Sequence, residues 1–163
     1  MEKKPSIHSI YICPNAGLAM ERRLQVKVLA GVGIEGDRYA LSLGAFSKSY
    51  PPKIREITLI TKAGIDIANH YLNSNGLLEF DYCETRRNIV IEGLLPDELN
   101  ALVGKVFSLG KLKLQGVELC DPCERPSKLA NKMNFQNAYE NNGGIRAQVL
   151  EDGNLTVQDL LEI

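Results

Sequence analysis

Glu118-Leu119-Cys120-Asp121-Pro122-Cys123-Glu124-Arg125-Pro126 holds two of the chain's four cysteines, spaced Cys-x-x-Cys around a proline. Upstream, residues 105–117 alternate apolar and polar side chains, the period of a strand. Downstream, residues 127–139 carry apolar side chains at helical spacing. The cysteines therefore sit where a strand hands over to a helix. A thiol at such a bend is open to reagents, and backbone N–H groups at a helix start favour thiolate over thiol. The remainder of the chain reads as a frame that presents Cys123 to a small anionic ligand.

Working outward, Gly110 makes a tight turn between strands at 106–109 and 112–119. Before it, Pro96-Asp97-Glu98 suits the first turn of a short helix ending near Leu102. Arg86-Arg87 leads a strand at 88–91. Thr61 is placed to cap a helix running to about Asn73, which Asn75-Gly76 stops. Strands are also expected at 7–12, 24–29 and 55–60, with the 39–52 stretch as a loop closed by Pro51-Pro52. At the far end, Asp152-Gly153 is a two-residue turn signal, which predicts a hairpin of 144–150 with 154–157. About eight short strands and two or three helices, without strict β-α-β alternation, predict a mainly β fold. The expected form is a mixed or antiparallel β-barrel with helices packed over its ends.

The chain has 163 residues, 44% hydrophobic and 24% charged, with a net charge of -1. That size predicts a single domain, 1–163, able to bury a core without disulfides. The balanced charge points away from nucleic acid and membrane surfaces. No apolar run approaches the ~18 residues of a membrane span, and Met1 to Pro5 does not lead into an apolar segment of signal-peptide length. Four scattered cysteines fit a reducing compartment, so the expected location is cytoplasmic.

Gly31-x-Gly33-x-x-Gly36 matches the dinucleotide-binding fingerprint by letter. The fingerprint needs a following helix to face the pyrophosphate, whereas here Asp37-Arg38 follows at once. A strained turn, or a turn that binds an anion through backbone N–H groups with help from Arg38, are the readings left. For Cys120-x-x-Cys123 four readings stand: part of a zinc site, a thiol exchange pair, two partly buried thiols, or a single reactive thiol at Cys123 suited to a soft metal or to carrying sulfur. Arg38, Arg87, Arg125 and Arg146 all lie next to turns, and arginine is the side chain best shaped to grip phosphate.

Four segments, in this order, resemble the MOSC family, the domain at the C-terminus of molybdenum cofactor sulfurase. They are Gly33-Ile34-Glu35-Gly36-Asp37-Arg38, Arg86-Arg87-Asn88-Ile89-Val90, 102–110 and Leu119-Cys120-Asp121-Pro122-Cys123. The stretches 57–60 and 143–147 add support. The resemblance implies a β-barrel and a stand-alone, bacterial-type member that works with the molybdenum cofactor (molybdopterin). Cys123 matches the cysteine of the family's Pro-Cys pair. It would be the catalytic thiol: a molybdenum ligand in reductases of N-hydroxylated compounds, or the persulfide site of a sulfur carrier. Gly36, Asp37, Arg38, Arg87, Asn88 and Arg146 would bind the cofactor. The partner would be an electron-donor protein or a sulfur-donating desulfurase, since the chain has no room for a pyridoxal-phosphate domain. Storage or delivery of the cofactor, or partner binding without turnover, is the alternative. Tyr39 stands where many members carry histidine, and the gap from Cys123 to Leu129 is longer than in many of them.

Overall fold

The computed structural model describes residues 3–163. Its largest feature is an eight-stranded sheet. In chain order the strands of this sheet are β1 (Ser6–Ile12), β2 (Glu21–Arg23), β5 (Ile57–Thr61), β6 (Ile89–Glu92), β7 (Val106–Leu109), β8 (Leu112–Leu119), β9 (Ile145–Val149) and β11 (Leu161–Glu162). Side by side they run β11-β7-β8-β9-β5-β6-β1-β2. Only β5 and β6 are parallel; the other neighbours are antiparallel. The sheet curls, and a bridge between Ser6 and Leu160 brings the first strand back to the last. The mixed, barrel-like β architecture read from the sequence is thus present. A second sheet of three strands, β3 (Gln25–Leu29), β4 (Gly33–Ile34) and β10 (Gly153–Thr156), is ordered β10-β3-β4.

The strands β1, β5 and β6 are buried on both faces, and alternate side chains enter two separate apolar layers. Ile10, Leu59 and Ile89 join the inner layer, with Val28 and Leu155 from the small sheet. Tyr11, Ile60 and Val90 point the other way, into a layer with Phe80, Phe135 and Tyr139. Helix α1 (Lys62–Ser74) supplies Ile65, Ala68 and Leu72 to this outer layer. That double burial explains why 57–61 and 89–91 read as continuous apolar runs rather than as alternation. Thr61 caps α1 as expected, its Oγ1 accepting the N–H of Gly64 at 2.9 Å.

Four differences from the sequence reading have physical causes. First, α1 and α4 (Phe135–Ala138) lie on the outer face of the sheet, not over a barrel end. Only α2 (Pro96–Asn100) closes an end, through Leu99 and the following Leu102 in the inner layer. Second, the helix expected over 127–139 is broken into α3 (Arg125–Ala130) and α4. Asn131 and Asn134 adopt left-handed φ of 53° and 66°, which asparagine tolerates. Ser127 Oγ then accepts the N–H of Phe135 at 3.0 Å, turning Phe135 into a stack with Tyr139 at 4.2 Å.

Third, 144–150 and 154–157 do not form a hairpin. Both edges of β9 are taken by β5 and β8, so β10 pairs with β3 instead. Asp152 spends its carboxylate on the N–H of Ala30, at 2.7 Å, rather than on a hairpin turn. Fourth, Glu21–Arg23 and Leu161–Glu162 are strands that the sequence reading left out, being too short to show a period. The glycine-rich fingerprint leads into turns and not into a helix, so a dinucleotide pyrophosphate has no helix terminus to meet there. Among the described residues no helix is long and apolar enough to cross a membrane.

Candidate functional site

The parallel pairing of β5 and β6 sets Leu59 beside Ile89, so the N-terminal ends of both strands lie together. That brings Thr58 next to Asn88 and puts Arg55 and Arg87, which precede them, into one cleft. Antiparallel β9 adds Arg146 opposite Thr58, and β8 sets Glu118 opposite Arg146 before leading out to Cys120. These strand ends, with the 39–46 loop and the start of α3, enclose a cleft of about 760 Å³ including its open mouth. Arg38, Arg55, Arg86, Arg87, Arg125 and Arg146 all line it, and Asp121 is the one carboxylate among the described lining residues. The four turn-flanking arginines singled out in the sequence therefore converge, with two more.

Asp37 and Gly36 are not on the cleft surface. Asp37 is 1% exposed and accepts from Arg38 Nη1 at 3.0 Å and from the backbone N–H of Cys13 at 3.2 Å. A carboxylate so placed aims the guanidinium beside it; Arg38 Nη2 continues to the carbonyl of Arg86 at 3.2 Å. Gly36 takes φ +86°, which lets the chain turn sharply enough for Asp37 to reach inward. Asn88 lines the cleft but is 3% exposed, and its amide ties three strands. Nδ2 donates to the carbonyl of Tyr11 (3.1 Å), and Oδ1 accepts from the N–H and hydroxyl of Thr58 (both 3.1 Å). Arg87 is fixed by Nε donating to the carbonyl of Gly143 at 2.7 Å. Arg146 Nη1 donates to Glu118 Oε1 at 2.7 Å.

The two cysteines of the motif differ in kind. Cys120 is 3% exposed, and its backbone N–H donates to the carbonyl of Gly144 at 2.8 Å. That approach needs glycine at 143, where a Cβ would run into the carbonyl of Cys120. Cys123 is exposed and lies at the cleft. The helix after it starts two residues later and spans only six residues, too short for its N-terminus to support the thiolate argument made from the sequence.

Tyr39, Phe46 and Arg55 were missed as site residues. The guanidinium of Arg38 lies 5.0 Å from the Tyr39 ring, and that of Arg55 lies 5.9 Å from Tyr39 and 4.9 Å from Phe46. Burial first, and then repulsion from Arg146, make Arg55 easier to deprotonate than an ordinary arginine. Arg86 is shifted the same way, by burial and then by Arg38. One signal for Arg55 was available: like Arg87, it stands just before an apolar strand run. Nothing in the sequence marks Phe46.

Several solved structures are similar to this one. The YuaD protein of Bacillus subtilis superposes with a TM-score of 0.75 at 17% identity, over 98% of this chain and 95% of that one. YiiM of Geobacillus stearothermophilus gives 0.70 at 14% identity, over 97% and 74% of the two chains. YiiM of Escherichia coli gives 0.66 at 15%, over 98% and 69%. At these identities the likeness is one of fold. No curated protein sequence matches the chain. The MOSC domain model matches residues 53–162, which include every cleft arginine except Arg38 and take in Cys123, and the chain belongs to the MOSC domain family.

Proposed function

We propose that this chain holds the molybdenum cofactor in the arginine-lined cleft, with Cys123 as the thiolate ligand of the metal, and serves in the reduction of N-hydroxylated compounds. The MOSC family is associated with that cofactor. The observation that carries the reading is the meeting of one exposed thiol and six guanidiniums in a cleft with a single carboxylate on its wall. A soft thiolate suits a soft, sulfur-bound metal, and guanidiniums suit a phosphate. The donor set therefore fits a group that carries both.

When bound, the cofactor supplies a redox centre. Cys123 would hold its metal, and Arg86, Arg87 and Arg125, which have no carboxylate partner among the described residues, would hold its phosphate. Asp37 keeps Arg38 aimed, and Asn88 keeps the strand end beside Arg87 in register. Tyr39 and Phe46 wall off part of the cleft and shield the guanidiniums from water, which strengthens their pull on an anion. Electrons come from a separate donor protein, and the place of action we assign is the cytoplasm.

The exposure of Cys123 also favours a second reading, in which it carries sulfur as a persulfide. Cys120, being buried, is poorly placed to resolve such a persulfide. Storage of the cofactor without turnover is the third outcome that the same experiment separates.

The test is expression in a host that makes the cofactor, followed by assay of molybdenum and pterin on wild type and Cys123→Ser. Wild type should carry both, and the variant should lose metal at least about tenfold, the loss expected from removing one strong ligand. Amidoxime reduction with an electron donor should follow the metal. Metal without turnover means storage. Extra sulfur on Cys123 in a metal-free protein means a carrier. A Cys123→Ser protein with full metal content refutes the assignment of the thiol.

A further inference from the structure

Five of the six cleft arginines fall into two groups on different walls, while Arg87, held by the carbonyl of Gly143, belongs to neither. Arg38, Arg86 and Arg125 lie against the 13–18 loop. Arg86 donates to the carbonyl of Leu18 and to Cys13 Sγ, and Arg38 and Arg125 are the cations whose repulsion it feels. Arg125 Nη2 lies 3.7 Å from where a Cβ of Gly17 would stand. Arg55 and Arg146 lie on the other wall, at the start of β5 and in β9. Arg146 is the cation that Arg55 feels most. The Tyr39 ring stands between the groups, touched by Arg38 from one and by Arg55 from the other.

Within the second group the charges do not balance. Glu118 is the carboxylate there, and it is shared between Arg146 at 2.7 Å and Lys53 at 3.7 Å. Arg55 has no hydrogen-bond acceptor or carboxylate among the described residues, and its Nε is buried without a partner. Its guanidinium instead lies over the rings of Phe46 and Tyr39. Aromatic faces position a cation but do not neutralise it. A half-buried guanidinium beside a second one is costly unless an anion joins them. Two adjacent guanidiniums offer the forked donors that one carboxylate or phosphate group accepts.

We propose that Arg55 and Arg146 form a second oxyanion subsite, distinct from the Arg38–Arg86–Arg125 wall, and that it takes a carboxylate or phosphate group carried by the substrate. The assignment of Arg86 and Arg125 from the first wall, together with Arg87, to the cofactor's phosphate rests on the function proposed above; the existence of two subsites does not.

Titration of the cofactor-free protein with inorganic phosphate, followed by calorimetry, tests this directly. Two binding events are expected in the wild type. Arg55→Gln should weaken one about tenfold or more and spare the other, as loss of one charge-assisted contact predicts. Arg86→Gln should do the reverse. Arg55→Lys, which keeps the charge, should recover part of the loss, and circular dichroism should show all three variants folded. Unchanged phosphate binding in Arg55→Gln, or equal weakening of both events, overturns the proposal. In protein loaded with cofactor, phosphate should still bind at the Arg55 event. If loading blocks both events, Arg55 serves the cofactor and the proposal falls. A protein that takes up no pterin at all refutes the cofactor reading by itself, while the titration of the free protein still decides the subsite.

Discussion

Midway along β5 and β6, Ile60 and Val90 are sealed beneath α1 in an aliphatic and aromatic layer. At their N-terminal ends, the same two strands carry Thr58 and Asn88, preceded by Arg55 and Arg87, into an open cationic cleft. A few residues separate the two environments. In the wall, each fully buried Val, Leu, Ile or Phe side chain is favourable by roughly 1.5–3 kcal/mol, and the hydroxyl of Tyr139 is the one buried polar side-chain atom there without a partner among the described residues. In the cleft, guanidiniums stand close together, some lack a counter-charge, and burial works against them. The wall can therefore hold the strand ends in place at a net cost that the cleft could not bear alone. The cleft in turn is left with donors that a ligand can use.

Substitutions that respect this division should separate stability from binding. Ile60→Ala removes a fully buried side chain from the wall and should lower unfolding free energy by about 2–5 kcal/mol in urea. The affinity of the folded fraction for phosphate should stay that of the wild type; a weakened cleft would show the two regions to be coupled. Asn88→Ala is the substitution that should break the division. It strands the carbonyl of Tyr11 and the N–H of Thr58 and should cost about 1–3 kcal/mol for a buried unsatisfied group, while also weakening anion binding through Arg87. Loss of stability with unchanged binding would make Asn88 purely a tie between strands.

Thr61→Ala removes the α1 cap and should cost about 1 kcal/mol in the same denaturant series, with the cleft untouched. The smallest effect is expected at Glu56, beside the cleft, which is 9% exposed and accepts the N–H of Val149 at 2.9 Å. Burial raises its carboxyl above the ordinary 4.5, against the opposing backbone hydrogen bonds from Val149 and Gly31. The folded state therefore holds that proton to higher pH than the unfolded chain. Stability from this group is full below pH 4.5 and declines as pH rises from there through the folded value. Glu56→Gln should thus melt slightly higher than wild type at pH 7, with the difference fading below pH 4.5. A difference that persists in acid would point to lost packing and not to the charge.

Much of the fold was legible because its signals are local. The cap at Thr61, the stop at Asn75-Gly76, the turn at Gly110 and the proline-led α2 depend on neighbours within a turn or two. The apolar runs at 57–60 and 88–91 showed strands, and Cys123 stood out as a thiol at a bend. The hairpin misread at Asp152-Gly153 shows the limit of such signals. Turn chemistry was right for a hairpin, but both edges of β9 were already occupied, and edge occupancy is a property of the whole sheet. The split of 127–139 is the same lesson on a smaller scale. Periodicity favoured one helix, and two left-handed asparagines turned Phe135 into the outer layer instead.

The site divides along the same line. By itself the sequence determined which chemistry is on hand: a thiol after proline and several arginines beside turns, since residue type carries charge and softness. Only the tertiary structure decided which of them meet. Parallel pairing of β5 with β6 brought Arg55 and Arg87 into one cleft across more than thirty residues of chain, burial took Asp37 and Cys120 off the surface, and the 39–46 loop laid Tyr39 and Phe46 against the guanidiniums. The physical reason is that hydrogen-bond ladders and packing join residues far apart in sequence, while composition and spacing report only what each segment favours alone.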